Sequence, residues 1–268
     1  MDNLTLINTE TDRFIAALGQ VDADAPVPTC PEWTAGDLLW HLTVVHAFWA
    51  EILRSGARTD EEFEAVEARN PQRLFDRDET IALLIDETSA LVAELAARED
   101  SEPAWSSFPS DQTVGFTRRM QVHEATMHRV DAELTAGLVP TPIPHEVAAD
   151  GIAHGVEVMW GWWGTNPGFS FTPSAGIVQL VATDGGTWLI AGGRWRGVGS
   201  ESGRQYDEPG AVLVESGDPA ATITGTAEEL YRWLWGRGDE PASSGDAASL
   251  DALREAQAQG MQGVDRRW

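Results

Sequence analysis

The chain has 268 residues, 42% of them hydrophobic, and carries 12 tryptophans, which is typical of a folded protein with one or two domains. Its formal net charge of −25 comes from 43 acidic and 18 basic residues, and every basic residue is arginine. This charge balance argues against binding to nucleic acid or to an anionic membrane surface. The absence of lysine excludes a Schiff-base lysine and a Walker-type lysine.

Cysteine content and the start of the chain indicate the compartment. Cys30 is the single cysteine, so no internal disulfide can form. Two interpretations of Cys30 stay open, a reactive thiol near a site and a small buried hydrophobic residue. The segment Met1-Asp2-Asn3 lacks the basic region of a signal peptide, and no stretch approaches the ~18 apolar residues of a membrane span. We therefore expect a cytoplasmic protein with no membrane partner.

The first half of the chain is patterned as amphipathic helices joined by polar connections. Thr34 followed by Asp37 resembles a capping box at the start of the second helix, and Gly137 stands where a glycine commonly ends a helix. Residues 99–113, rich in Ser, Pro and Asp, predict a loop. Four such helices indicate a bundle over residues 1–140. The predicted helices are 4–18, 34–53, 80–97 and 114–137.

Residues 141–268 change character and predict a small α+β domain. Pro140, Pro142 and Pro144 mark the boundary. The turn Asp184-Gly185-Gly186 between two apolar runs predicts a β-hairpin, and residues 200–209 predict a loop. Helices are expected at 145–163, 226–236 and 246–259, and strands at 176–183, 187–191, 192–196, 211–215 and 221–224.

The second predicted helix carries histidine on a face that otherwise indicates burial. At about 100° per residue, Leu38, Leu42 and Val45 lie on one stripe, which continues to the end of the helix. His41 falls inside this stripe, whereas His46 falls roughly 80° away from it. The two histidines are therefore not equivalent, and His41 is the candidate for a buried site.

The fourth predicted helix places a carboxylate on its apolar stripe. Glu124 lies within the stripe that runs from Phe116 through Met120, Met127 and Leu134 to Leu138, and His128 lies at its edge. Side chains four residues apart emerge one turn from each other and can point at one atom. A carboxylate alone on a core face costs several kcal/mol or must take up a proton. A bound cation removes both difficulties.

These residues predict a metal site formed by His41, Glu124 and His128. Two histidines and one carboxylate suit zinc with an open position for water or substrate, and they suit non-haem iron equally. The simpler alternative is a core histidine with its own hydrogen bonds beside a surface Glu–His pair.

Several further residues have two open interpretations each. Asp131 is either a partner that orients a ligand imidazole or an ordinary helix-face hydrogen-bonding group. His46 and His123 either serve in proton transfer or lie at the surface. Tryptophans of the second half either line a ligand pocket or form the core; these are Trp160, Trp162, Trp163, Trp188, Trp195, Trp233 and Trp235.

Separated motifs occur in an order found in one known enzyme family. The first is Cys30-Pro31-Glu32-Trp33-Thr34, followed by Asp37-Leu38 and His41-Leu42; the second is His123-Glu124-Ala125-Thr126-Met127-His128-Arg129-Val130-Asp131-Ala132-Glu133; shorter ones are Ala149-Asp150-Gly151, Gly225-Thr226-Ala227 and Trp233-Leu234-Trp235-Gly236-Arg237. Over roughly residues 5–250 the chain thereby resembles the mycothiol-dependent maleylpyruvate isomerase family. Residues 260–268 match no motif of it.

The resemblance implies a two-domain α + α/β fold and a set of site residues. The expected domains are a DinB-like four-helix metal-binding bundle over residues 1–140 and a small α+β domain similar to sterol-carrier proteins over residues 141–268. By motif, a divalent metal, usually zinc, is held by His41, Glu124 and His128. Arg237 resembles the family's catalytic arginine, with Arg194 and Arg196 as rivals and a structural salt bridge as the alternative for all three.

The resemblance also implies the chemistry. Mycothiol is expected as thiol cosubstrate, and its metal-bound thiolate attacks an electrophilic small molecule, either in a cis–trans isomerisation of the maleylpyruvate type or in an S-transfer. The partners are thus a thiol and a small molecule, and the protein is a monomer or homodimer. Two alternatives stay open: a non-catalytic protein that binds a small molecule or thiol, and a non-haem iron enzyme with the same triad.

Overall fold

The computed structural model describes residues 2–200 and 202–260. The chain divides into two compact units, Met1–Thr141 and Pro142–Trp268, called the first and second unit below. The first unit is helical and the second contains a five-stranded sheet, which confirms the predicted two-domain fold class. Most of the segment 260–268, which matched no motif, lies outside the described residues.

The first unit is built from four long helices and three short elements that the sequence did not indicate. Each long helix begins after an Asp or Thr whose side chain accepts a hydrogen bond from a backbone N–H of the first turn, the usual N-cap arrangement. The predicted helices are confirmed to within three residues at each end. The elements are α1 Asn3–Leu18, β1 Pro26–Val27, β2 Cys30–Thr34, α2 Ala35–Ser55, α3 Asp60–Glu67, α4 Arg77–Ala96 and α5 Val114–Thr135.

Helix α2 begins and ends where its sequence predicts. The Thr34 hydroxyl accepts from the Asp37 backbone N–H, and the Asp37 carboxylate accepts from the Thr34 backbone N–H at 2.9 Å, which completes the capping box. The helix ends at Gly56, which has a left-handed φ of 67° that a residue without Cβ adopts easily. These caps fix the register of the helix, and with it the direction in which His41 points.

Apolar side chains of α1, α2 and α4 pack together in the core of the first unit. Phe14, Leu38, Leu42 and Leu84 are fully buried in this cluster. Helix α5 packs mainly on α1. The prediction that Leu138 belongs to the apolar stripe of this helix is wrong. Leu138 is 52% exposed, because the helix ends at Thr135 and Leu138 follows the turn.

A fully buried arginine joins α1 to α5. The Arg129 Nε donates to Glu10 Oε2 at 2.6 Å, and its Nη1 donates to Glu133 Oε2 at 2.7 Å and to the Thr141 carbonyl at 2.7 Å. Both carboxylates are almost completely buried. Charged groups occur in a core when they are paired in this way.

The second unit places helices around a five-stranded sheet whose strand order is β5-β4-β3-β6-β7. Strands β3 and β6 pair in parallel, and the other neighbours are antiparallel. Helix α6 continues as a π-helical segment, Gly155–Trp160, and a 3₁₀ segment, Trp162–Thr165. The elements are α6 His145–His154, β3 Ser170–Ala182, β4 Thr187–Val198, β5 Gln205–Leu213, β6 Pro219–Gly225, α7 Ala227–Leu234, β7 Ala242–Gly245 and α8 Ala247–Gly260.

The predicted hairpin is confirmed, and three predictions for the second unit are wrong in detail. The strands predicted separately at 187–191 and 192–196 form one strand, β4. Gly185 and Gly186 have positive φ values of 122° and 105° in the turn between β3 and β4. The predicted loop at 200–209 is shorter, because β5 already begins at Gln205 and pairs with Val198. The predicted single helix at 145–163 changes helix type at Gly155.

Four of the seven tryptophans singled out in the second half are buried, which favours the core interpretation for them; these are Trp160, Trp195, Trp233 and Trp235. Packing is visible at Trp195, whose indole N–H donates to the Trp160 carbonyl at 2.8 Å. Among the described residues, no helix has the length and apolar character that crossing a bilayer requires.

Candidate metal centre

The capped helices α2 and α5 bring the three predicted ligands together. His41 lies two turns into α2, while Glu124 and His128 lie one turn apart on α5. The Glu124 Oε1 is 3.0 Å from His41 Nε2 and 3.2 Å from His128 Nε2. One possible ligand atom from each residue lies within 4.8 Å of the other two. These atoms are therefore close enough to bind one ion.

The cluster is enclosed on the histidine side and opens at the carboxylate. The side chains of His41 and His128 are 6% and 5% exposed, whereas the Glu124 side chain is 22% exposed. The two imidazole rings meet edge to face, with centroids 4.6 Å apart. A small molecule from solvent would therefore reach this cluster past Glu124.

Asp131 orients the His128 ring from the side opposite Glu124. Its Oδ2 lies 2.9 Å from His128 Nδ1, and its Oδ1 accepts a hydrogen bond from the Thr29 hydroxyl at 2.5 Å. Asp131 is fully buried. A carboxylate on the second ring nitrogen is the usual partner of a metal-binding histidine, because it fixes the tautomer and leaves Nε2 for the ion. Of the two interpretations of Asp131, the geometry supports the orienting one.

Charges of opposite sign shift the pKa values of the cluster in opposite directions. Burial acts to raise the pKa of Glu124, but the charge and hydrogen bonds of the two imidazoles outweigh it and hold that pKa well below the ordinary value. Burial acts to lower the pKa of His128, but Glu124 and Asp131 raise it to about 9. In the absence of a metal, a proton on His128 therefore supplies the positive charge that the carboxylates require.

Trp33 is a site residue that helical pitch could not identify, because it lies on β2. Its ring centroid is 4.7 Å from that of His41 and 6.1 Å from that of His128. The indole thus covers the imidazoles from the side of the hairpin. The available signal was its place in the Cys30-Pro31-Glu32-Trp33-Thr34 motif, a few residues before His41.

Cys30, also on β2, is half buried and packs against the apolar cluster of the first unit. This environment favours the interpretation of Cys30 as a small hydrophobic residue rather than a reactive thiol.

The hypothesis that His46 and His123 are surface residues is wrong, because both are buried. His46 lies between α2 and α4, where its Nδ1 is 2.8 Å from the Thr88 hydroxyl. Helical pitch correctly placed His46 away from the apolar stripe that contains His41. His46 is nevertheless buried, because α4 covers the face of α2 on which it lies. Burial lowers the pKa of His46 to about 3, so this ring is neutral in the folded protein.

The neutral His46 predicts a pH-dependent loss of stability. An unfolded histidine takes up a proton near pH 6.5, whereas folded His46 does so only near pH 3, so the folded state loses stability as the pH falls below about 6.5. At pH 5 the loss is about 2 kcal/mol. The unfolding free energy of a His46→Gln variant should therefore fall about 2 kcal/mol less than that of wild type between pH 7.5 and pH 5 in urea titrations.

A His145→Gln variant, in which the same substitution is made at an exposed histidine, serves as the matched control for His46→Gln. The other titrating groups are common to all three proteins, so their contributions cancel in the comparison. Identical profiles for wild type and His46→Gln would contradict the assignment of a buried, neutral His46.

The candidate arginines lie in the second unit and differ in their surroundings. Arg237 follows α7, is buried, and donates from Nη1 to the Trp235 carbonyl at 2.6 Å. Arg194 and Arg196 both pair with Asp207 on the sheet. The shared carboxylate favours a structural ion pair for Arg194 and Arg196, and the assignment of Arg237 as the catalytic arginine stays a prediction from its motif.

The fold and the cluster together define a class of protein: a helical bundle with a buried His–Glu–His set, followed by an α+β domain. Two family models match the chain, "Mycothiol maleylpyruvate isomerase N-terminal domain" over residues 4–133 and "MDMPI C-terminal domain" over residues 146–252. The chain therefore belongs to the mycothiol-dependent maleylpyruvate isomerase family.

Solved structures agree with this at the level of the fold. The crystal structure of a mycothiol-dependent maleylpyruvate isomerase matches with a TM-score of 0.57 at 18% sequence identity, over 92% of this chain and 94% of that one. A mutant of such an isomerase matches with a TM-score of 0.58 at 16% identity, over the same shares of the two chains. Among curated proteins, no significant match was found.

Proposed function

We propose that this protein is a metal-dependent enzyme in which the thiolate of mycothiol attacks an electrophilic small molecule. The observation that carries the proposal is the meeting of two imidazole nitrogens and one carboxylate oxygen within 4.8 Å in the core of the helical unit. Family membership supports mycothiol as the thiol and a maleylpyruvate-type compound as the first substrate to test.

The donor set fits a divalent cation, most simply zinc. His41, Glu124 and His128 would hold the ion, and three protein ligands leave a further position open, as in catalytic zinc sites. The partly exposed Glu124 and the fully buried Asp131 carry negative charge that a cation would balance better than the single proton of His128 does. The chemistry supplied in such a site is a lowered thiol pKa, which makes thiolate available at neutral pH.

Each residue of the cluster then has a definite task. Asp131 holds the His128 ring so that Nε2 faces the ion, and Thr29 holds Asp131. Trp33 excludes water from one side of the imidazoles. Glu124 lies at the open side, where thiol and substrate would enter.

Attack of the thiolate on the electrophile forms a carbon–sulfur bond. Whether that bond is later broken or kept distinguishes isomerisation from S-transfer. Addition to a conjugated cis double bond, rotation about the resulting single bond and loss of the thiol give isomerisation. Retention of the carbon–sulfur bond gives S-transfer. In either case we propose that the Arg237 guanidinium binds a substrate carboxylate or the developing enolate, for which its planar donor geometry is suited.

The test combines metal analysis with an activity screen. The purified protein should contain about one metal ion per chain, and with mycothiol it should convert maleylpyruvate or form thiol conjugates with epoxides or haloarenes. Isomer without conjugate identifies an isomerase, and stable conjugate identifies an S-transferase. Tight binding of thiol without turnover of any electrophile would instead support a binding protein. Iron together with oxygen-dependent activity would support the non-haem iron enzyme.

A further inference from the structure

A stripe of polar side chains runs along α5 past the candidate metal centre. Thr117, Gln121, Glu124 and His128 are spaced by four, three and four residues, so they lie on one face of the helix. Thr117 and Gln121 are fully buried, although neither takes part in the cluster. Polar residues at helical spacing in a core require partners, and these two are the part of the stripe that the proposed function does not use.

The polar atoms of Gln121 and Thr117 are unsatisfied among the described residues. Both the amide nitrogen and the amide oxygen of Gln121, and the hydroxyl of Thr117, are buried without a hydrogen-bond partner there. By contrast, Thr126 on the same helix donates to the Val122 carbonyl at 2.6 Å. Buried polar groups in native proteins almost always have a partner, and each missing one carries a desolvation penalty. An occupant that supplies both donors and acceptors would remove this penalty.

His46 contributes a third unsatisfied group. The Thr88 hydroxyl donates to the Leu84 carbonyl at 2.7 Å, so at 2.8 Å it accepts from His46 Nδ1–H. The ring nitrogen Nε2 is then a bare acceptor, and it is buried with no partner among the described residues.

His46 and Gln121 lie on the same side of the metal-centre cluster along the bundle. Thr29, just before α2, contacts Asp131 near the end of α5, whereas the Ala57 carbonyl after α2 accepts from the backbone N–H of Trp105, which precedes α5. Helices α2 and α5 therefore run antiparallel.

At ~1.5 Å per residue, His46 is ~7.5 Å beyond His41 along α2, and Gln121 is ~4.5 Å beyond Glu124 along α5. Because the two helices are antiparallel, both displacements have the same direction, away from Asp131 and Thr29. The unsatisfied groups thus continue the cluster further into the bundle.

We propose that Gln121, Thr117 and His46 form a polar subsite that hydrogen-bonds an uncharged hydroxyl or amide group of the molecule bound at the metal centre. None of the three side chains is charged, and together they leave both donors and acceptors unsatisfied. A hydroxyl or amide group, which donates and accepts, therefore fits them better than a carboxylate, which only accepts. The proposal rests on the proposed function and names the chemistry that its site selects. The group belongs either to the thiol or to the electrophile.

The experiment compares the apolar variants Gln121→Met and Thr117→Val with Thr126→Val, a matched control whose hydroxyl is already satisfied. Metal content, unfolding free energy, mycothiol affinity by calorimetry and KM for maleylpyruvate are measured for each full-length protein. Gln121→Met should keep the wild-type metal content and equal or higher stability, because removing an unsatisfied group is not destabilising. The affinity for one of the two molecules should fall about tenfold or more, the loss expected for one hydrogen bond.

Whether the mycothiol affinity or the KM for maleylpyruvate changes identifies which molecule carries the hydroxyl or amide group. A weaker mycothiol affinity assigns it to the thiol, and a higher KM with unchanged mycothiol affinity assigns it to the electrophile. Unchanged values of both in Gln121→Met and Thr117→Val overturn the proposal. Lower stability with unchanged affinities also overturns it, because the partner is then buried water. A wild-type protein without metal would contradict the proposed function itself, before any variant is compared.

Discussion

The His128→Ala variant is expected to lose nearly all of its bound metal, from about one ion per chain to almost none, and with it the thiol-dependent activity. The change removes one of the three proposed ligands, since His128 Nε2 lies 3.2 Å from Glu124 Oε1 in the cluster. It also leaves the fully buried Asp131 without its imidazole partner. Two remaining groups bind a divalent ion far less tightly than three in a preformed site. Elemental analysis of the purified proteins measures the difference.

Two further variants test whether metal loss is specific to the residues of the cluster. His41→Ala removes a ligand from the other helix without disturbing Asp131, so it should lose metal to a similar degree. His145→Ala changes an exposed histidine of the second unit and should keep the wild-type metal content. Equal metal content in wild type and His128→Ala would remove His128 from the site.

The Arg129→Met variant is expected to be destabilised by about 3–5 kcal/mol, the usual effect of breaking a buried ion pair on one side. The substitution keeps most of the side-chain volume but removes the guanidinium that bonds to Glu10 and Glu133. Glu133 then keeps only its hydrogen bonds from Thr141, and Glu10 keeps only its ion pair with the partly exposed Arg13. The buried carboxylates must take up protons or disrupt the contact between α1 and α5. Urea unfolding followed by circular dichroism measures the change.

The surface residue Arg254 provides the control, because it also bonds to two carboxylates, those of Glu240 and Asp251, but is 41% exposed. Arg254→Met should cost about 1 kcal/mol or less. Adding Glu133→Gln to Arg129→Met should recover part of the lost stability, because it removes the buried negative charge that has lost its arginine. Equal effects of the two arginine substitutions would mean that the buried network contributes no more than an exposed pair.

Local patterns predicted the elements whose signals are contained in a single segment. The capping box at Thr34 and Asp37 fixed the start of α2, and the Asp184-Gly185-Gly186 turn fixed the β3–β4 hairpin. The spacing of Glu124 and His128 predicted that they point at one atom, because four residues make about one helical turn. The structure brings His41 to the same point.

Features that depend on distant parts of the chain could not be predicted in this way. Arg129 and Glu10 are 119 positions apart, and nothing in either segment indicates that they pair. His46 appeared to face solvent because helical pitch describes one helix and not the neighbour that covers it. The short helix α3 and the strand β7 were missed because both are mostly exposed and carry little apolar pattern.

The small hairpin of β1 and β2 touches the candidate metal centre from two directions. Thr29, in its turn, holds Asp131, and Trp33, near its end, lies over the imidazoles. The hairpin consists of only two and five residues in its strands, so it can open without unfolding of the long helices. We therefore expect the rate at which a bound ion is released to follow the rate at which this hairpin opens. That opening rate is set by the few hydrogen bonds that hold the hairpin closed.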